Sequence, residues 1–200
     1  MTYLTTISGK VIDLRYIDTQ KLCVEDMAYS LSNIHRFNGH AVRNISVAEH
    51  SLSVLAIMQI FMNVRCPATL MAGLLHDGHE YLTGDITQPV KQLMGDAWKV
   101  EENRIQRVVL QHFGVWTAFQ TNAALIHEAD MRSLSCEREQ LMPANGDVWP
   151  CQIKYPSLDW VPCSVGEKLS NGDWRQLFLD NFHILRSGLG DAHQAIPTKS

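Results

Sequence analysis

The chain lacks any long apolar run. Across its 200 residues, no stretch approaches the ~18 consecutive apolar residues of a membrane helix. No basic segment leads into an apolar one at the N-terminus, so no secretory leader is read there and a cytoplasmic location is expected. Positive charge is also short. Seventeen Lys and Arg stand against 21 Asp and Glu, a formal net charge of −4. Binders of nucleic-acid polymers usually carry a basic face, so that class is set aside. A small anionic ligand is not, because a few aimed cations need no overall excess. The five cysteines, at positions 23, 66, 136, 151 and 163, include no C-x-x-C pair. Odd in number and scattered, they argue against a disulfide framework or zinc knuckle and for a reducing compartment. No internal repeat or low-complexity block occurs.

What is present suits a folded domain. A hydrophobic content of 46% is enough for one domain over 1–200 with a sizeable core. Residues 2–14 alternate weakly around Ser8-Gly9-Lys10, which predicts a small hairpin. Met27, Leu31 and Ile34 share a helical face, and Asn38-Gly39 is a stop signal. Ser46 with Glu49 three residues on has the form of a capping box, placing His50 in the first turn of a second helix. Pro67 suits a helical start, and the apolar stretch 68–75 runs into His76, Asp77 and Glu80. If that helix persists, His76 and Glu80 share a face. Residues 84–91 read as a loop into a new helix, followed by an amphipathic helix over 97–113 and another over 123–141. Residues 143–162 read as an irregular covering loop, 166–185 as a last helix, and 188–200 as a loose tail. The expected class is all-α with a small β decoration.

The chemistry is carried by polar residues set into these apolar helices. His50, His76, Asp77 and Asp130 come from three separate segments. Two imidazoles and two carboxylates form a mixed N/O set suited to a divalent transition metal, with zinc, manganese, cobalt and iron all acceptable. Such a set points to a hydrolase.

The ordered pattern H…HD…D resembles the HD-domain metal phosphohydrolases. Ser46-Val47-Ala48-Glu49-His50-Ser51, Leu74-Leu75-His76-Asp77-Gly78-His79-Glu80, Gly84-Asp85-Ile86 with Pro89-Val90-Lys91, and Glu128-Ala129-Asp130 resemble the 5′-deoxynucleotidase branch. Ile34-His35-Arg36-Phe37-Asn38-Gly39-His40 is similar to compact phage and prophage members, which include dATP triphosphohydrolases. The likeness covers roughly 20–140. It implies an HD helical bundle holding one divalent metal per subunit through His50, His76, Asp77 and Asp130. Glu80 would orient or deprotonate the attacking water, and Asp85 would protonate the departing 5′ oxygen or hold the water from another side. Arg36 and Lys91 would bind phosphate. Phe37, where relatives commonly carry Trp, would wall the deoxyribose or base and disfavour a 2′-hydroxyl.

The implied substrate is a small deoxynucleotide, with neither a nucleic-acid polymer nor a membrane as partner. The leading expectation is a dATP or dNTP triphosphohydrolase in the cytoplasm, or the host cytoplasm if phage-encoded. The alternatives are a 5′-deoxynucleotidase acting on dNMPs and a non-catalytic nucleotide-sensing module. An alarmone or cyclic-nucleotide phosphodiesterase is disfavoured by the short chain. Apolar helix faces and five tryptophans make a homo-oligomer plausible, with the tryptophans read as core or interface. Glu101-Glu102 reads as a solvated face and His79 as pointing away from the site. Taken alone, Asp130 could be a solvent-facing acid, with His127 one turn earlier as a competing ligand.

Overall fold

In the computed structural model, residues 2–144, 146–158 and 168–194 are described, with side chains through 189. The architecture is all-α apart from one hairpin, as the hydrophobic periodicity predicted. Strand β1 (Tyr3–Thr5) pairs antiparallel with β2 (Val11–Asp13), placing Leu4 opposite Ile12. The connecting turn uses Gly9 at φ 82°, a left-handed conformation that costs glycine little. The turn is fastened to the bundle. Ser8 donates its backbone N–H to Asp26 Oδ1 at 3.1 Å and its hydroxyl to Oδ2 at 2.7 Å.

Burial alone would raise the Asp26 pKa, yet hydrogen bonds from Ser8 and Thr6 hold the carboxyl below the usual aspartate range. A depressed native pKa contributes stability that is present above the unfolded value of about 3.9 and lost as pH falls through the native one. Asp26→Ala should therefore cost about 1–3 kcal/mol at neutral pH. The deficit should shrink in acid as wild type loses the same contribution. Thermal unfolding of both proteins at pH 7 and pH 3 checks this; an equal deficit at both would contradict it.

Helix α1 (Val24–Asn33) ends five residues before Asn38-Gly39. Residues 34–36 then pair with 45–47, through Arg36 N–H to Ile45 O at 2.9 Å and Val47 N–H to Ile34 O at 3.0 Å. In α2 (Val47–Ala56), Ser46 caps by accepting the Glu49 N–H. The Glu49 carboxylate pairs with Arg43 instead. A π-helical turn, Ile57–Phe61, continues α2. The remaining helices are α3 (Pro67–Leu74), α4 (Glu80–Thr83), α5 (Gln88–His112), α6 (Trp116–Thr121), α7 (Ala123–Leu141), α8 (Pro150–Lys154) and α9 (Asn171–Gln194).

Helix α2 is the centre, packed by α1, α3, α7 and α9. Its buried face holds Val47, Ala48, Val54 and Leu55 together with the polar Glu49, His50 and Ser51. Helix α9 presents Phe178, Phe182 and Leu185 to the core, at i, i+4 and i+7 on one face. It also runs through Gln194, past the tail expected from 188. Gly188 permits this, since a Cβ there would come within 3.2 Å of the Pro67 ring. Helix α5 starts at Gln88, earlier than the 97 expected, and bends at Gly95 (φ 68°). The segment read as a covering loop contains α8; its part from 159, with Trp160, lies outside the described residues. Of the four described tryptophans none is buried, which corrects the core reading. Among the described residues no helix is long and apolar enough to cross a membrane.

Candidate metal centre

Three packed segments bring polar atoms to one buried point. His50 stands in the first turn of α2, His76 and Asp77 follow the end of α3, and Asp130 lies two turns into α7. His50 Nε2 is 3.3 Å from His76 Nε2, 3.2 Å from Asp130 Oδ1 and 3.6 Å from Asp77 Oδ2. His76 Nε2 is 3.1 Å from Asp77 Oδ2. One donor atom each from His50, His76 and Asp130 lie within 4.8 Å of one another. His127 is exposed and outside this cluster.

The helical stacking of His76 with Glu80 does not occur. Helix α3 stops at Leu74, and tight turns (Gly78 N–H to Leu75 O at 2.8 Å, Glu80 N–H to Asp77 O at 3.0 Å) lead into α4. Residue 78 lies so near the Leu75 carbonyl that a Cβ would sit 2.9 Å from its oxygen. The lack of a Cβ at 78 permits this close approach in the turns that separate α3 from α4, so Glu80 reaches the site from a separate helix.

The far nitrogen of each imidazole is held from behind. His76 Nδ1 lies 2.8 Å from Gly73 O; a carbonyl can only accept, so Nδ1 carries the proton. His50 Nδ1 is 2.6 Å from Glu137 Oε1, and the Ser133 hydroxyl donates to the same oxygen at 3.2 Å. Both Nε2 atoms therefore face the shared point. Carboxylates behind metal-facing imidazoles are a recurrent orienting device.

Glu137 was missed in the sequence. Its one signal is spacing: Asp130, Ser133 and Glu137 fall at i, i+3 and i+7, a polar stripe on an otherwise apolar face of α7. Glu137 also accepts from Arg36 Nε at 3.0 Å. Burial alone would push its carboxyl up, but Arg36 and His50 outweigh this and hold it down at about 2.

The cluster has a surplus of negative charge. Burial and Arg36 pull the His50 imidazole down, yet Glu137 and Asp130 raise it to about 10. His76 is raised despite burial, chiefly by Asp77, and Asp77 is held well below the carboxylate range, chiefly by His76. The field demands a positive charge between two convergent nitrogens, and a divalent cation fits that demand with the mixed N/O donors it prefers.

Beside the cluster opens a cavity of about 670 Å³, within the usual range for small-ligand sites. Glu80 lines it, nearly fully buried, with Oε2 lacking a hydrogen-bond partner. Burial, with Asp77 and Asp85 adding to it, raises the Glu80 carboxyl well above its usual range; burial also raises Asp85. Two cations among the described residues reach the lining, Arg36 and Lys91. Arg36 NH1 is 3.9 Å from Asp77. Lys91 Nζ is 2.6 Å from Glu102. His79, 3.6 Å from Glu102 on the other side, acts with Lys91 to hold that carboxyl at about 2. Glu101 is solvated as expected, whereas Glu102 is a half-buried anchor for Lys91. Phe37 completes one wall. It adopts φ 57°, followed by Asn38 at 51°, a left-handed conformation rare for a bulky residue.

Residues 30–128 match the HD domain family, a segment that spans His50, His76 and Asp77. The chain is 32% identical to YfdR of Escherichia coli K12 over 189 residues, covering 92% of this chain and 96% of that one. The chain belongs to the HD-domain family. A second relative of this HD protein, from Rhodobacter capsulatus, is 31% identical over 138 residues, covering 68% of this chain and 70% of the relative. Membership implies a metal-dependent hydrolase of the phosphohydrolase type, and the His50, His76 and Asp130 cluster is its candidate metal centre.

Proposed function

We propose that this HD protein is a deoxynucleotide phosphohydrolase that breaks the bond between the 5′ oxygen and phosphorus. The carrying observation is one cavity, opening beside a metal-type donor cluster and sharing Asp77 and Asp130 with it, in which Glu80, Asp85 and two cations converge. His50, His76, Asp77 and Asp130 would hold the metal, which when bound supplies Lewis-acid polarisation and a water of lowered pKa.

The chain's own residues do the rest. Arg36 and Lys91 orient the phosphate, Arg36 through guanidinium N–H groups not used by Glu137. Glu80 accepts a proton from the attacking water, and Asp85 gives one to the departing 5′ oxygen. Burial raises both carboxyls, so each is able to carry a proton in this pocket. Phe37 walls the sugar and leaves a 2′-hydroxyl poorly solvated, which favours 2′-deoxy substrates.

Charge bears on the length of the phosphate chain. The lining offers Arg36 and Lys91 against Asp77, Glu80, Asp85 and Asp130. With a divalent metal held by Asp77 and Asp130 the lining is close to neutral, with little surplus for a triphosphate's extra charge, so dNMP is favoured over the dATP or dNTP expected from the phage-type resemblance. Phosphorus NMR of products with Mn²⁺ or Co²⁺ tests both. Orthophosphate from dNMPs supports the monophosphate reading, and tripolyphosphate from dATP would replace it with the triphosphohydrolase. Absence of cleavage under every metal would give way to the nucleotide-sensing module.

A further inference from the structure

Beyond Phe37 the cavity has an aromatic end, Trp149, that the chemistry above leaves unused. Trp149 lies outside the segment that matches the HD family, in the stretch between α7 and α8. It is half-buried and lines the same cavity as Asp77 and Asp130. Its ring is 5.9 Å from that of Phe37, tilted at 55°. The rings therefore do not stack on each other. Phe37 in turn lies beside Arg36, whose guanidinium carbon is 5.3 Å from the ring centre. A continuous path thus leads from the metal-type cluster through Asp77 and Arg36 to Phe37 and Trp149.

Trp149 is not part of the apolar core, yet its position is strongly determined. The buried Arg138 of α7 places its guanidinium 5.2 Å from the indole ring. The same guanidinium donates to the carbonyls of Pro143 and Asp147, each at 3.1 Å, folding the loop back over the helix. On the other side, the Trp149 backbone N–H donates to Gln152 Oε1 at 2.9 Å, which sets the start of α8. The backbone at Phe37 carries left-handed strain as well, a feature retained where surrounding structure imposes it and often found at ligand sites. Two neighbouring aromatic rings lining one cavity, with Met131 and Leu134 beside them, form an apolar receptor for a flat, uncharged ring.

We propose that Trp149, acting with Phe37, is the platform on which the substrate's nucleobase stacks, with Arg138 as the residue that positions it. This rests on the deoxynucleotide reading above and adds where the base goes. Stacking is tolerant of base identity, because every base has a π face, and it favours the larger purines. The platform therefore predicts a site that accepts several bases and prefers purine over pyrimidine.

The test uses the Mn²⁺-loaded protein with purine dNMP and with deoxyribose 5-phosphate, which has no base. Trp149→Ala should raise KM for the nucleotide about 10- to 100-fold, with a smaller change in kcat, and Trp149→Phe should recover most of the loss. The preference for nucleotide over baseless phosphate, in kcat/KM, should collapse by a similar factor. Binding of deoxyadenosine should quench tryptophan fluorescence in wild type and not in Trp149→Phe. An equal loss on both substrates, or unchanged nucleotide KM, would overturn the platform while leaving the phosphohydrolase in place. If wild type cleaves only non-nucleotide phosphates and deoxyadenosine fails to bind, the deoxynucleotide reading fails and the platform with it.

Discussion

Glu137→Gln is expected to weaken divalent-metal binding about 10- to 100-fold, although Glu137 is not among the residues facing the shared point. The substitution preserves shape but removes the charge that braces two groups at once. Glu137 Oε1 accepts a hydrogen bond from His50 Nδ1–H, and Oε2 accepts one from Arg36 Nε–H. A glutamine turned to accept from His50 points its NH₂ at Arg36 Nε, setting donor against donor. Turned the other way, the NH₂ faces His50 Nδ1, which then has no acceptor and loses its fixed tautomer; in either orientation the buried Arg36 guanidinium loses its nearest counter-charge. Breaking one side of a buried ion pair typically costs about 3–5 kcal/mol, so the variant should also melt earlier. Metal content after dialysis against graded chelator, read with the melting temperature, checks both effects. Wild-type metal retention would show that Glu137 is a structural partner of Arg36 alone.

The second large effect is expected at Glu80. Glu80→Gln should lower kcat about 10²- to 10⁴-fold while leaving metal content unchanged, because Glu80 faces the cavity and is not in the His50, His76 and Asp130 cluster. A base works only when deprotonated, so its activity rises with pH through its pKa. Losing it should abolish the acidic limb of the pH–rate profile. Loss of the alkaline limb instead would exchange the two roles. Loss of metal together with activity would move Glu80 into the ligand set.

Much of this fold is readable from periodicity, and particular residues show where reading stops. Helix α7 appears at its full length because its apolar spacing is unbroken from Ala123 to Leu141. The Ser46 cap places His50 in a first turn without ambiguity. The end of α3 is different. Its apolar residues continue to Leu75, and nothing in their spacing announces the tight turns around Gly78. Likewise the helical period of 88–113 does not reveal the bend at Gly95, which moves Lys91 beside Glu102.

The sequence by itself determined the all-α class and offered the two histidines and acids of the candidate metal-type donor set, along with the residues proposed for phosphate. These are properties of residue type and local spacing, and local physics expresses them directly. Only the tertiary structure decided that α2 carries its histidine through the centre of the bundle, that Glu137 stands behind both His50 and Arg36, and that Trp149 returns to face Phe37. The separation between Arg36 and Glu137 is 101 residues, far beyond the reach of any local pattern. Such contacts arise where helices pack, and the charges buried there must find partners wherever the chain supplies them.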